Sequence, residues 1–160
     1  MEKQVSVGIA DMKIARQKGT LITYALGSCI GISFYDPMIK LGALLHIMLP
    51  ENNVPGSANV YKFADSGIRE TLRKLSAYGG QKHRMVCKIA GGAKMFEMGG
   101  AGGLGNIGER NAQMVKKVLM AEGLRVSGED TGSNCARTML IDVETGQVKV
   151  RTMGKNERIL

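Results

Sequence analysis

Cys29 and His46 stand seventeen residues apart, and a thiol beside an imidazole is the minimum equipment for thiolate chemistry. The imidazole can take the thiol proton and, once charged, stabilise the sulfur anion, so a His-paired thiol is expected to hold a larger thiolate fraction than an unpaired buried one. Gly27 and Ser28, directly before Cys29, allow the backbone to turn sharply, which would leave amide N–H groups free to act as an oxyanion hole. The same residue types also fit a buried Cys acting as a small hydrophobe and a His satisfied by a backbone carbonyl. The fold has to bring the pair together before it means anything.

The elements that must do so are readable in outline. Residues 20–49 are rich in Ile, Leu and Thr and are broken at Gly27-Ser28 and at Asp36-Pro37, which predicts three strands joined by two turns. For the hairpin around Asp36-Pro37, pairing Ile30 with Leu45, Ile32 with Ala43 and Phe34 with Leu41 gives one wholly apolar face. The other face then sets Cys29 opposite His46, Gly31 opposite Leu44, Ser33 opposite Gly42 and Tyr35 opposite Lys40. A slip of one residue would mix the two sets, so this register is the expectation, with the Cys29 and His46 Cβ atoms roughly 4.5–5.5 Å apart.

Further along, Val60, Ala64, Ile68, Leu72 and Leu75 recur at helical spacing between a candidate cap at Ser57 and the stop at Gly79-Gly80, predicting a helix over residues 57–78. A short strand over 84–90 leads into residues 91–105, where seven glycines in fifteen residues predict a loop. A second helix is expected over about 106–122, ended by Gly123, and a terminal hairpin pairs 138–143 with 147–153 across Glu144-Thr145-Gly146. With 160 residues and about 150 per domain, one domain covering 1–160 is expected.

Other chemistries find less support. The three cysteines, Cys29, Cys87 and Cys135, contain no C-x-x-C, so neither a disulfide framework nor a zinc ribbon is expected. On a strand His83 and Cys87 would lie some 13 Å apart, too far to share a metal. Gly103-Leu104-Gly105-Asn106-Ile107-Gly108 fits G-x-G-x-x-G, but it does not follow directly from a strand as a dinucleotide fingerprint should. Neither metal nor cofactor is expected. Lys and Arg exceed Asp and Glu by 22 to 14, a net charge of +8 that fits a solvated basic surface and would also attract acidic partners. The basic residues form no long run, and three Phe, four Tyr and no Trp supply few stacking surfaces, so nucleic acid is not an expected partner. The N-terminus lacks a signal-peptide pattern and no apolar run is long enough to span a membrane, so a soluble, cytoplasmic chain without membrane insertion is expected.

Leu26-Gly27-Ser28-Cys29, followed by His46 within His46-Ile47-Met48-Leu49-Pro50, resembles the CheD family of chemoreceptor glutamine deamidases. Lys88-Ile89-Ala90-Gly91-Gly92-Ala93-Lys94-Met95-Phe96, Asn106-Ile107-Gly108-Glu109-Arg110-Asn111, and Asp130-Thr131-Gly132 with Arg137 look like that family's later motifs in the same order. The resemblance runs from about Val7 to Val150. It implies hydrolysis of selected glutamine side chains on methyl-accepting chemotaxis receptors to glutamate, with Cys29 as nucleophile, His46 as base and Thr23 as third member of a triad; by pattern alone Thr23 also fits an ordinary strand Thr. It further implies an α+β single domain, a three-layer α/β/β sandwich like that of deamidating cysteine-hydrolase toxins, and binding to a CheC-type phosphatase. The glycine-rich segment from Gly99 to Gly105 is longer than the family leads one to expect. A chain acting mainly as a binding module for such a phosphatase, without catalysis, is the alternative reading.

Overall fold

The structure, a computed structural model, describes residues 3–53, 56, 59–95 and 106–160. Among these described residues ten strands and two α-helices follow one another as β1 (Gln4–Val7), β2 (Asp11–Arg16), β3 (Thr20–Leu26), β4 (Ile30–Asp36), β5 (Leu41–Ile47), α1 (Ala64–Ala77), β6 (Val86–Gly91), α2 (Ile107–Ala121), β7 (Val126–Thr131), β8 (Arg137–Asp142), β9 (Val148–Thr152) and β10 (Arg158–Ile159). The strands form two five-stranded sheets, ordered β1-β3-β8-β9-β10 and β2-β5-β4-β6-β7.

The second sheet lies in the middle, because alternate residues of its strands are apolar toward opposite sides. One face carries Ile30, Ile32, Phe34, Leu45 and Ile47 against Ile68, Leu72, Val115 and Leu119 of the helices. The opposite face carries Leu44, Tyr35 and Ala90 against Leu21, Leu26, Met139 and Ile141 of the first sheet. The result is an α+β domain in three layers: helices, central sheet, outer sheet. Every residue of β4 and β5 is buried, as expected for strands covered on both faces.

The hairpin register differs from the sequence expectation by two residues. Ile30 pairs with Ile47, Ile32 with Leu45 and Phe34 with Ala43, so His46 stands opposite Gly31 rather than Cys29. The apolar and mixed faces survive, because side chains alternate with a period of two and a shift of two leaves every residue on its predicted side. Turn chemistry selects between these otherwise equivalent registers. The Asp36 carboxylate accepts the Met38 amide at 3.1 Å, and Lys40 takes a left-handed φ of 48° before β5 begins. The same carboxylate, fully buried, accepts the Gln81 amide and both Nε and Nη2 of Arg84, so the loop is fixed from outside the hairpin.

The helices sit where periodicity predicts, with shifted starts. α1 begins at Ala64 after a 3-10 turn at Val60–Lys62, whose cap is Asn59 accepting the Tyr61 amide; the expected cap at Ser57 lies outside the described residues. Asn106 is the residue before α2 but makes no side-chain capping bond. The first strand of the later hairpin and its partner are β8 and β9, close to the expected bounds. The Gly99–Gly105 segment lies outside the described residues.

Candidate active site

Thr23 and His46 come from different sheets and meet between them. The Thr23 hydroxyl lies 2.8 Å from the Val7 carbonyl oxygen and 2.7 Å from His46 Nδ1, and all three groups are in the buried layer. A hydroxyl has one hydrogen, which Thr23 gives to Val7, so its oxygen accepts from Nδ1–H. That assigns the tautomer: Nδ1 carries the proton and Nε2 keeps its lone pair. Nε2 is buried with no hydrogen-bond partner among the described residues, the state required of a base waiting for a proton.

β3 is built to present Thr23 in this way. Its pairing with β8 is regular from Thr20 to Thr23 and then slips before Leu26. Ala25 adopts a left-handed φ of 58° within the irregular stretch, where a β-bulge re-aims the side chains beside it. The chain then turns at once into the residues leading to Cys29.

Cys29, one residue before β4, is half-buried and packs against the inter-sheet cluster that also holds Leu26, Leu44 and Met139. It shares the Gly31 side of the strand, so in the observed register it lies on the diagonal from His46, a relation of roughly 7–8 Å between Cα atoms and less between Cβ atoms. Sequence pairing had put the two side by side; the structure brings them to the same face, offset along the strand. Opposite His46 itself is Gly31, where a Cβ would press on the Met139 sulfur and Leu26.

The turn before Cys29 is strapped on several sides. Gly92 donates to the Cys29 carbonyl at 2.9 Å and Ala93 to that of Gly27 at 2.8 Å. Gly27 donates its own amide to Ala25 O at 3.0 Å, so its N–H is used in closing the sharp turn. Asn111 of α2 donates from one amide nitrogen to Ser28 O at 2.9 Å and to Met48 O at 2.8 Å.

Electrostatics set a neutral resting pair. Burial pushes the His46 imidazole down to about 4, only partly opposed by the negative Asp11, its ladder partner on β2. Burial alone would raise Asp11, but the Gly8 amide and Lys13 outweigh it and hold the carboxyl below its ordinary range. Burial also pushes the Cys29 thiol up, against a smaller opposing pull from its own backbone N–H. Both groups are therefore neutral at rest, the thiol held up and the imidazole held down by burial, and the unpaired Cys87 thiol is pushed up to about 12. A protonated thiol on the same face as a neutral imidazole is an arrangement suited to general-base rather than ion-pair chemistry.

The remaining candidates separate cleanly. Cys87 points into the helix-side core and burial pushes its thiol up to about 12. Cys135 is half-buried beside the Asn134 side-chain oxygen at 3.4 Å. His83 lies on a 3-10 turn, not on a strand. Among the described residues no three His, Cys, Asp or Glu side chains gather as a metal site, and no helix is long and apolar enough to cross a membrane.

Several residues that shape the site are silent as chemistry in the sequence. A Cβ at Gly91 would collide with the Cys29 carbonyl, and Gly91 has a φ of 113°. A Cβ at Gly108 would drive α2 off Gly92 and Ala93. Arg137, buried, donates to Gly91 O and Gly132 O and ion-pairs with Asp130 at 3.3 Å, fixing the end of β6 beside the turn. The signal for them was position within the later motifs.

Residues 48–152 match the family model described as CheD chemotactic sensory transduction. A protein of Syntrophomonas wolfei named "Probable chemoreceptor glutamine deamidase CheD" is 45% identical over the full length of both chains. Two others of the same name are similar, from Desulforamulus reducens at 44% identity over 98% of this chain and 95% of the relative, and from Moorella thermoacetica at 43% over 99% and 96%.

Proposed function

The chain belongs to the CheD family, and from that premise we propose that it hydrolyses glutamine side chains of chemoreceptors to glutamate, with Cys29 as nucleophile, His46 as general base and acid, and Thr23 as the group that orients His46. The observation that carries the reading is the Thr23–His46 bond, which commits Nδ1 and leaves the buried Nε2 lone pair unpartnered on the face that Cys29 shares. Supporting it is the three-layer arrangement, which fits the cysteine-hydrolase sandwich that the resemblance implies.

In the proposed reaction the thiol proton passes to Nε2 as sulfur attacks the carboxamide carbon. The carbonyl oxygen becomes an oxyanion, and the intermediate collapses as His46 returns the proton to the departing ammonia, leaving a thioester. Water then gives a proton to the same nitrogen and attacks the thioester. Collapse releases the glutamate carboxyl and the free thiol. Atoms balance as one water in and one ammonia out, and the receptor gains a negative charge. The substrate places the reaction in the cytoplasm, and a CheC-type phosphatase is the proposed protein partner.

Mass spectrometry of receptor cytoplasmic fragments incubated with the protein and with Cys29→Ala tests the reading. Conversion of glutamine to glutamate is expected with the parent and not with the variant. Equal deamidation by Cys29→Ala would sink the thiol mechanism, and capture of the phosphatase by a protein that never deamidates would favour the binding-module alternative.

A further inference from the structure

We propose that Asn111 is a positioning residue for the reaction, clamping the Ser28–Cys29 peptide so that the Cys29 amide N–H is held as the oxyanion donor; this rests on the proposed thiol chemistry. The side-chain amide sits at 0% exposure on α2 and spends its two hydrogens on two different elements. One goes to Ser28 O, in the peptide that leads into the nucleophile. The other goes to Met48 O, two residues beyond His46 on the continuation of β5. A single planar group on a third element therefore ties the thiol-bearing turn to the base-bearing strand.

The orientation follows from peptide geometry. In a planar trans peptide the carbonyl and the following N–H point in opposite directions. Ser28 O is drawn toward α2, so the Cys29 N–H is turned away from α2, to the side of the central sheet where Cys29 packs. The Gly27 amide is occupied by Ala25 O, which leaves the next peptides of the turn to meet a developing oxyanion. The Cys29 N–H also favours its own thiolate, as a donor aimed at the reacting region would.

Packing alone does not account for asparagine here. Its Oδ1 is buried without a hydrogen-bond partner among the described residues, a cost that an isosteric Leu would not carry. The two donated bonds are what the side chain provides in return.

The test compares two reactions of the same thiol in the parent, Asn111→Leu and Asn111→Ser. Deamidation of a receptor cytoplasmic fragment develops an oxyanion; alkylation of Cys29 by iodoacetamide needs the same proton transfer and develops none. The kcat for deamidation is expected to fall by about 10²–10³-fold, the cost of an oxyanion donor lost from position, with KM and the alkylation rate changed less than about threefold. Assays are run below each variant's Tm with near-UV circular dichroism matching the parent. If Asn111→Leu does not fold, Asn111→Ser, which leaves room for a bridging water, carries the test. A kcat within about threefold of the parent in a folded variant overturns the proposal, and so does alkylation falling in step with deamidation. Cys29→Ala is run alongside. If it is inactive while Asn111→Leu stays active, only this inference falls; if it still deamidates, the thiol reading falls too.

Discussion

Leu45 and His46 are neighbours on β5, yet they enter different worlds. Leu45 enters the layer between the central sheet and the helices, packing beside Gly67 of α1 among side chains that are almost all aliphatic. His46 enters the layer between the sheets, which buries Thr23 and Arg137 along with its apolar residues. The helix-side layer stabilises the domain, each fully buried Leu or Ile contributing roughly 1.5–3 kcal/mol. The inter-sheet layer accepts a buried Nε2 without a partner among the described residues, which costs stability, and an imidazole whose protonation burial disfavours; in the proposed reaction that imidazole is the base. One sheet can therefore separate the two tasks by alternation alone.

The sharpest test of that division is His46→Ala against Leu45→Ala. His46→Ala is expected to lower the deamidation rate by at least about 10²–10⁴-fold while the protein stays folded, since it removes the group proposed as both base and acid. Leu45→Ala is expected to cost about 2–5 kcal/mol in denaturant unfolding and to leave the rate per folded molecule nearly unchanged. A folded Leu45→Ala protein as inactive as His46→Ala would erase the distinction between the layers.

Acid titration probes the cost of the inter-sheet layer. The folded imidazole titrates at about 4, against 6.5 when unfolded, so the unfolded chain takes up a proton first as pH falls. The contribution is fully present above 6.5 and is lost on the way down to about 4, amounting to roughly 3 kcal/mol. Unfolding free energies measured across that window should show this slope in the parent and lack it in His46→Gln. Because the proposed reaction uses the neutral imidazole, deamidation should hold its rate down to about pH 5 and fall below about 4; an acid limb near 6.5 would contradict the buried setting.

The smallest expected effect lies at Thr23. Thr23→Val removes the acceptor for a buried Nδ1–H and should cost about 1–3 kcal/mol in thermal unfolding, with Thr23→Ser restoring most of it. Nitrogen NMR of His46 should report protonation at Nδ1 in the parent and in Thr23→Ser, and a mixture of tautomers in Thr23→Val. An Nε2-protonated parent would refute the orientation on which the base depends.

The fold is legible where its signals are local. Strands β3, β4 and β5, the bodies of both helices and the β8–β9 hairpin follow from alternation, helical spacing and turn residues, and all sit near their expected bounds. β1, β2 and β10 carry little periodic signal: β1 and β10 are edge strands of four and two residues, and β2, at the edge of the central sheet, mixes burial along its length. Their short pairings are imposed by the sheets they complete.

At the site, the sequence by itself determined which side chains of β4 and β5 share a face, because a period of two survives any even shift in register. It could not choose between shifts of zero and two, since the apolar face is equally good in both. The structure made that choice with Asp36 and its distant partners Gln81 and Arg84. Only the stacking of two sheets could set the Thr23 hydroxyl against His46 Nδ1, and only the placing of α2 could draw one Asn111 amide to both Ser28 and Met48. These contacts join residues 23 to 83 positions apart, and no periodicity in the chain reports on atoms that meet across layers.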